Sequence, residues 1–265
     1  IKTIQPQIIH SQAGKASELV ARIRPFLADV KIVTTVHGTK KNKSAYLVGD
    51  AVIAVSKALT QGIPEAKAHI VYNGVYPQSA LSIEAKQKLK HSIDQQFPSL
   101  DSTKKIVMCI GRLEPVKNIA LLLQAMQEID ANLWIVGDGK EKNALLSMVH
   151  ELGIDNRVKF LGARHDIHQL LSACDLFVLS SAWEGFALVV AEAMACQRLV
   201  VATDAGGVKE VMGSDSEWLV EVKNIDELTH KINKALQLNK YEVEKITSRG
   251  RNRIISHYSL STIAS

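Results

Sequence analysis

Residues 105–118, KIVMCIGRLEPVKN, contain the pattern that decides the fold, an apolar run followed at once by a glycine turn. The run from Ile106 to Ile110 is short and rich in isoleucine and valine, as expected of a parallel strand covered on both faces. A helical pattern follows over residues 119–128. A strand, a turn and a helix in this order indicate a βαβ unit.

The same alternation extends in both directions along the chain. After residue 118 it predicts strands at 133–136, 158–161, 176–179 and 199–202, and helices at 142–152, 167–173 and 188–196. Before it, a shorter series predicts strands at 8–9, 31–36, 51–55 and 70–72, and a helix at 18–24. A polar segment with one helical stretch, 83–92, separates the two series. We therefore predict an α/β protein with two Rossmann-like domains and parallel doubly wound sheets, the first domain incomplete.

The composition is that of a folded protein without a nucleic-acid-binding surface. The chain has 265 residues, 46% apolar, 22% charged, with a net charge of +5. Its basic residues are scattered, so we predict no nucleic-acid partner. The three cysteines are far apart and lie in apolar runs, which favours a reducing, cytoplasmic location. No apolar run approaches the roughly 20 residues that span a bilayer, but peripheral contact with the inner membrane face stays open.

A first candidate binding element is the turn that contains Gly111, Arg112 and Lys117. Glycine lets a ligand approach the backbone, and a helix start favours negative charge. Two cations at one strand end suit a diphosphate. The alternative is an ordinary βα turn with two solvated bases.

A second candidate follows the strand at 176–179. Glu184 lies in the loop and Glu192 about two helical turns further on, so that two carboxylates are available to accept hydrogen bonds from sugar hydroxyls. The backbone N–H groups of residues 186–188 lie at the helix start, where they lack helical acceptors. The alternative has Glu184 stabilising the helix dipole and Glu192 solvated. Glu192 interrupts an apolar stretch, however, which favours a bound partner.

Several motifs together resemble those of one enzyme family. GRLEPVKN, GDGKEKNAL, VKFLGARHDI, SSAWEGFALVVAEAMAC and VVATDAGGVKEVM are similar to the C-terminal domain of family-four glycosyltransferases, also called glycosyl transferases group 1. PQIIHSQAGKAS, IVTTVHG, GDAVIAVS and HIVYNGV resemble the later part of that family's N-terminal domain. The resemblance implies a retaining hexosyltransferase of the two-domain GT-B fold. It implies a UDP- or GDP-type nucleotide-sugar donor, a glycan or glycolipid acceptor in polysaccharide or lipopolysaccharide assembly, and no cofactor.

The resemblance also implies a role for particular residues. Arg112 and Lys117 would neutralise the donor diphosphate, as electrostatic stabilisation of a leaving group requires. Glu192 would bind the ribose and Glu184 the transferred sugar. The other donor-binding positions implied by the motifs are Gly111, Gly137, Leu161, Phe186, Ala187 and Leu188. His37 resembles the histidine that faces the donor sugar, the alternative being an ordinary turn histidine, and His10 and Lys15 lie at a matching strand end.

No metal site is predicted from the sequence. His165 and His168 lie three residues apart, but no carboxylate or cysteine cluster accompanies them. The Asp-x-Asp signature of metal-dependent glycosyltransferases is absent from the sequence. The resemblance therefore implies metal-independent transfer.

Three departures from the family pattern affect these expectations. Ala187 replaces a usual glycine. Gln197 and Leu199 replace a usual glycine and proline, so that the end of the helix predicted at 188–196 is expected to be rearranged. The chain starts at Ile1, after the point where the family has a glycine-rich segment, and HYSLSTIAS resembles the start of the final helix. We therefore expect a chain truncated at both ends.

The expected division of the chain follows from this resemblance. It comprises a partial N-terminal domain (1–76), a linker (77–104), a nucleotide-sugar-binding domain (105–250) and the start of a crossover helix (251–265). Such a chain is expected to bind a nucleoside diphosphate and to transfer sugar poorly. Two alternatives stay open: a truncated, non-catalytic nucleotide-diphosphate-binding module, and a GT-B sugar-nucleotide epimerase.

Overall fold

The computed structural model describes residues 4–27, 29–38, 43–77, 81–96, 100–213 and 216–264, with the side chain of Asp94 excepted. The chain forms two compact units. The first comprises the described part of Ile1–Asn73 together with Glu184–Phe186, and the second comprises the described parts of Gly74–Trp183 and Ala187–Ser265.

The first unit contains a parallel sheet in which four described strands follow the order β1-β2-β3-β4. Helix α1 packs beside the sheet, and its buried Val20 joins Leu27 and Ile32 in a small apolar core. The elements are β1 (Ile8–Gln12), α1 (Ala13–Ile23), β2 (Lys31–Val36), α2 (Ser44–Leu47), β3 (Ala51–Ala54) and β4 (Ala68–Ile70), with single 3-10 turns at Arg24–Phe26, Lys57–Leu59 and Glu65–Lys67.

The second unit contains a parallel sheet of six described strands in the order β10-β9-β8-β5-β6-β7. Its strands are β5 (Ile106–Ile110), β6 (Asn132–Val136), β7 (Val158–Gly162), β8 (Leu176–Leu179), β9 (Leu199–Thr203) and β10 (Leu219–Val220). Its helices are α3 (Ile83–Gln96), α4 (Ile119–Ala125), α5 (Lys142–Glu151), α6 (Ile167–Ala173), α7 (Leu188–Ala195), α8 (Val208–Met212), α9 (Ile225–Gln237), α10 (Lys240–Tyr258) and α11 (Leu260–Ile263), with 3-10 turns at Pro115–Lys117 and Met126–Glu128.

The strand order of the second unit reverses at β5. From β5 the chain adds β6 and β7 on one side, then crosses over to add β8, β9 and β10 on the other. In open α/β sheets, ligands bind outside the carboxyl ends of the strands at such a switch point. The edge beyond β5 and β8 is therefore the place to examine for a binding site.

Burial on both faces explains why the central strands are almost entirely apolar. Every residue of β6, β8 and β9 is buried, and Trp134 and Phe177 are completely enclosed. Fully burying a large apolar side chain stabilises a fold by about 1.5–3 kcal/mol. The core lies between this sheet and its covering helices, and it keeps the strand ends in fixed positions.

The predicted fold class is confirmed: the chain is α/β with two parallel-sheet units. β2, β5, β8 and α6 begin and end at the predicted residues. The division between the units lies between Asn73 and Gly74, and α3, within the predicted linker, belongs to the second unit. Residues 78–80 and 97–99 of that predicted linker lie outside the described residues.

The C-terminal segment differs in detail from the expected start of a helix at 251–265. Residues up to Tyr258 complete the long helix α10, which begins at residue 240, and only the four-residue helix α11 follows. Between these helices, Val75 forms a β-bridge with Ser259 and donates its backbone N–H to the Tyr258 carbonyl at 2.8 Å. The segment that starts the second unit is thereby joined to its last helices.

Candidate functional site

The loop after β5 is attached by hydrogen bonds to the end of β8. The backbone N–H of Ala182 donates to the carbonyl oxygen of Val116 at 2.8 Å. The Ser180 hydroxyl donates to the carbonyl of Lys117 at 3.1 Å. Because Ser180 directly follows β8, these contacts hold the loop over the switch point of the sheet.

Both predicted cations lie at the carboxyl end of β5. The Lys117 side chain passes across Gly111, since a Cβ at residue 111 would lie 3.5 Å from its Cδ and Cε atoms. Arg112, the next residue, is exposed. The backbone of this loop turns at Asn118, which has a left-handed φ of 47°. Two positive side chains therefore share one strand end, as the sequence indicated.

Gly137 brings the ends of β5 and β6 together. Its φ is +136°, and a Cβ there would lie 1.9 Å from the Gly111 carbonyl oxygen. Its N–H donates to Gly162, at the end of β7, at 2.8 Å. The predicted donor-binding residue Leu161 lies beside this contact and is half-buried. The glycine thus has a structural task, close packing of strand ends, in addition to its proposed place beside a nucleotide.

Helix α7 begins at Ala187, which has a left-handed conformation with φ 60° and ψ 53°. This conformation costs an L-residue about 1–2 kcal/mol and costs glycine nothing comparable. Alanine also has no side-chain acceptor, so the first-turn N–H groups of α7 receive no side-chain cap. The start of α7, with Leu188 exposed at its first position, therefore suits an anionic or hydroxylated ligand.

Glu192 lies on the same stripe of α7 as Leu188, one turn further on, and is half-buried. Burial raises the pKa of its carboxyl above the ordinary value for glutamate. Among the described residues, no hydrogen bond or ion pair of the side chain opposes that rise. The alternative of a fully solvated Glu192 is thus not what the structure shows.

The switch point brings these two elements to one edge of the second sheet. β5 and β8 are neighbours, with Val107 paired to Leu176 and Met108 to Phe177 in parallel. The loop of Arg112 follows β5, and the start of α7 follows β8. The cationic loop and the start of the helix that carries Glu192 therefore follow adjacent strands, as the diphosphate and ribose hypothesis expects.

The end of α7 does not show the expected rearrangement. Gln197 takes the left-handed conformation that a glycine would take, with φ 54°. Its N–H donates to Met194 at 3.0 Å, and the N–H of Arg198 donates to Ala193 at 2.9 Å. These two bonds form an ordinary Schellman end, so the absent glycine and proline change the local strain and not the geometry.

The remaining predicted residues, His37, Glu184 and Phe186, belong to the first unit as defined above. A Cβ at Gly185 would lie 2.2 Å from the His37 carbonyl oxygen. The Phe186 ring lies 5.9 Å from that of Tyr72. The glycine between Glu184 and Phe186 is therefore required by close contact with the backbone of His37.

His37 is the end of a hydrogen-bonded chain of polar side chains. Its Nε2 lies 2.7 Å from Gln12 Oε1, the Gln12 amide nitrogen lies 3.2 Å from His10 Nε2, and that nitrogen lies 2.7 Å from Thr35 Oγ1. The ring keeps contact with solvent, but partial burial and the nearby His10 imidazole lower the pKa of His37. The roles of Gln12 and Thr35 are not predicted from the sequence. Their contact depends on the register between β1 and β2, which pairs Gln12 with Thr35 and has no local sequence signal.

Within the part of the chain that the structure describes, no group of three or more histidine, cysteine or acidic side chains is arranged to hold a metal ion. His168 instead contacts Cys196, with 3.5 Å between Nδ1 and Sγ.

Comparison with known proteins identifies the family. Residues 91–253, more than half of the chain, match the family Glycosyl transferases group 1. The chain belongs to this family. N-acetyl-alpha-D-glucosaminyl L-malate synthase of Bacillus anthracis is 31% identical over 260 residues, which cover 89% of this chain and 66% of that protein. The chain thus spans slightly less than two thirds of the length of this relative.

Two further comparisons concern the fold and the ligands of relatives. An Escherichia coli UDP-Gal:alpha-D-GlcNAc-diphosphoundecaprenol alpha-1,3-galactosyltransferase is 27% identical, covering 98% of this chain and 73% of that protein. Anabaena Alr3699/HepE, solved in complex with UDP and glucose, superposes with a TM-score of 0.85 and 28% identity, covering 97% of this chain and 75% of that one. The architecture of two parallel-sheet units is that of GT-B glycosyltransferases.

None of the helices in the described ranges is both long enough and apolar enough to span a membrane.

Proposed function

We propose that this chain binds the nucleotide-sugar donor of a retaining glycosyltransferase, which moves a hexose to a glycan or glycolipid acceptor in cell-surface polysaccharide assembly. The observation that carries the proposal is the pair of elements beyond β5 and β8: Arg112 and Lys117 on one, Glu192 on the other. A cationic loop suits a diphosphate. A half-buried carboxylate suits the hydroxyls of a ribose, which would supply hydrogen bonds that the described residues do not.

The relatives support this assignment. The Anabaena protein was solved with UDP and glucose, and the Escherichia coli relative is a UDP-galactose-dependent transferase that acts on a diphosphoundecaprenol-linked sugar. Both names point to a nucleoside-diphosphate donor, and the second to a lipid-linked acceptor. We propose the same donor class and a glycan or glycolipid acceptor for the protein to which this chain belongs.

In the proposed reaction the bond between the anomeric carbon and the donor diphosphate breaks, and the electron pair leaves with the nucleoside diphosphate. An acceptor oxygen forms the new bond and loses its proton. Arg112 and Lys117 would stabilise the charge that develops on the leaving diphosphate. No metal ion is required for this neutralisation in our proposal. Retention of configuration at the anomeric carbon follows from the family resemblance and is part of the proposal.

The proposed binding roles extend to the other predicted residues. Glu184 would accept hydrogen bonds from hydroxyls of the transferred sugar, and His37 would face that sugar. Backbone N–H groups at the start of α7 would bind the diphosphate or a sugar hydroxyl. The residues proposed to supply these groups or to border the nucleotide are Gly111, Gly137, Leu161, Phe186, Ala187 and Leu188.

A donor-cleavage assay with UDP- and GDP-sugars, with the products followed by NMR, tests this function. We expect release of the nucleoside diphosphate and, at the first time point, a sugar product with the anomeric configuration of the donor. Glu184→Gln should lower turnover about tenfold or more while nucleotide affinity changes little, because the amide is a weaker acceptor for sugar hydroxyls. The matched control Glu151→Gln, at the exposed end of α5, should leave both unchanged.

The same assay separates the alternatives. A chain that binds the nucleotide but releases no sugar, even with acceptor present, would be a non-catalytic binding module. Recovery of an intact nucleotide sugar with one inverted hydroxyl would show an epimerase. Inverted configuration in the transferred sugar would contradict the retaining mechanism.

We also propose a cytoplasmic location, where nucleotide sugars would be available, with peripheral contact at the inner membrane face. The described cysteines, Cys109, Cys174 and Cys196, are buried and form no disulfide, as expected in a reducing compartment. Cell fractionation tests this, and recovery of the protein outside the cytoplasmic and membrane-associated fractions would contradict it.

A further inference from the structure

The chain of polar side chains in the first unit assigns the protons on two histidine rings. Gln12 Oε1 is a carbonyl oxygen, which only accepts, so the Nε2 of His37 at 2.7 Å must carry the hydrogen. The Gln12 amide nitrogen only donates, so the Nε2 of His10 at 3.2 Å must accept. A neutral imidazole carries one hydrogen. The Nδ1 atom of His37 is therefore an acceptor, and the Nδ1 of His10 is a donor.

Thr35 supports this assignment from the next strand. Its hydroxyl lies 2.7 Å from His10 Nε2, and a hydroxyl can donate to that nitrogen as the amide does. Thr35 is buried and is paired in register with Gln12, so the sheet fixes both donors. The free imidazole side chain prefers its hydrogen on Nε2, so the Nδ1–H form of His10 is imposed by these neighbours.

Two properties make the rings available to a ligand. Both histidines retain contact with solvent, His10 in the middle of β1 and His37 directly after β2. Among the described residues, neither Nδ1 atom has a hydrogen-bond partner. The two rings therefore offer one donor and one acceptor, which matches two hydroxyl groups, since each hydroxyl can donate or accept. A phosphate would instead require donors from both rings.

We propose that Thr35, Gln12, His10 and His37 form a fixed relay that binds two hydroxyl groups of a sugar, with His10 Nδ1–H donating to one and His37 Nδ1 accepting from the other. In this relay Gln12 and Thr35 are positioning residues. The choice of a sugar as the ligand rests on the function proposed above. The assignment of the protons rests on the relay alone.

Long-range ¹H–¹⁵N correlation spectra of the chain labelled with ¹⁵N-histidine test the relay directly. With both rings neutral, we expect the Nδ1–H pattern for His10 and the Nε2–H pattern for His37. Gln12→Glu provides two acceptors and should move the hydrogen of His10 to Nε2. Gln12→Leu, of similar size, removes the amide donor and should leave only Thr35 to hold His10, giving a mixture of the two forms.

Titration with D-glucose then tests the hydroxyl-binding role, with inorganic phosphate as the counter-probe. We expect glucose to shift the Nδ1 signals of His10 and His37 and to leave the exposed His69 unchanged. Gln12→Glu should weaken the apparent glucose affinity about two- to tenfold, the usual effect of one misplaced hydrogen bond.

An Nε2–H pattern for His10 in the wild-type chain would overturn the relay. Glucose shifts no larger than those of His69, or a stronger response to phosphate, would overturn the hydroxyl-binding role. Neither readout needs turnover, so a chain that fails to transfer sugar but shows both results would contradict the proposed function and leave this inference standing.

Discussion

Two left-handed residues at the same edge of the second sheet are accommodated in opposite ways. At Gly137 the positive φ and the Gly111 carbonyl oxygen, 1.9 Å from any added Cβ, both require glycine. At Ala187 the left-handed φ of 60° is occupied by a residue that is strained there. The ends of β5 and β6 are thus held in place by contacts within the chain. The start of α7 is strained, and the half-buried carboxylate of Glu192 has no partner among the described residues. Both are costs that are typical of ligand-binding positions.

The largest effect on stability is expected from disturbing the contact between Gly137 and the backbone of Gly111. Gly137→Ala adds a Cβ against backbone that has no room to move, and should lower the free energy of unfolding by about 3–5 kcal/mol. The midpoint of thermal unfolding should fall by roughly 10 °C.

Gly153→Ala is the matched control for this substitution. Its φ is also positive, +67°, but nothing lies within 4 Å of an added Cβ. It should cost only about 1 kcal/mol. Equal destabilisation by the two substitutions would show that the contact with Gly111 does not distinguish them.

Glu192→Gln is expected to change binding and stability in opposite directions. The free protein should become more stable, because the substitution removes a half-buried charge that no described residue pairs with. Affinity for UDP should fall about tenfold to a hundredfold, as for loss of a charge-assisted hydrogen bond. Thermal unfolding with and without nucleotide measures both. A loss of stability with unchanged affinity would give Glu192 a purely structural role.

The pH dependence of the free energy of unfolding also tests the burial of the Glu192 carboxylate. The pKa of Glu192 is raised in the folded state, so the folded protein holds this proton more tightly than the unfolded chain. Its contribution to stability is then greatest below the ordinary pKa of glutamate and falls as pH rises through the raised pKa. Urea unfolding across this window should show the wild type losing stability relative to Glu192→Gln. A constant difference would contradict the raised pKa.

The smallest effect on the free energy of unfolding is expected from a substitution at the start of α7. Ala187→Gly relieves the left-handed strain, and should raise the free energy of unfolding by up to about 1 kcal/mol. Ala191→Gly, in the right-handed interior of the same helix, should lower it by about 1 kcal/mol. Urea unfolding compares the two. A loss of stability in both variants would show that the strain at residue 187 is negligible.

Most of the fold could be predicted because the central strands are short apolar runs followed by turns. β5 and β8 were bounded correctly from this pattern alone. The apolar pattern predicts no elements between residue 203 and the C-terminal segment, although helices α9 and α10 start with recognisable caps. Asn224 accepts from the N–H of Glu227, and Asn239 and Glu242 form a complete capping box. The short β10 has no comparable local signal.

The site could be predicted in part. The grouping of Arg112 and Lys117 follows from their position after one strand, and the unusual position of Glu192 follows from its apolar neighbours. The roles of Gln12 and Thr35 could not be found in this way. They depend on the register between β1 and β2, which no local pattern specifies. The contact that requires Gly137 likewise depends on the separation of two strand ends.

The central claim is that a diphosphate binds at the end of β5 and a ribose beside α7, and calorimetric titration with UDP and uridine tests it most directly. Lys117→Gln should weaken UDP binding about tenfold or more and leave uridine binding unchanged, because only UDP carries the charge that Lys117 would meet. Lys104→Gln is the control, since it makes the same change in charge just before the other end of β5. It should affect neither ligand. Equal weakening of UDP and uridine by Lys117→Gln, or no binding of UDP by the wild type, would contradict the account.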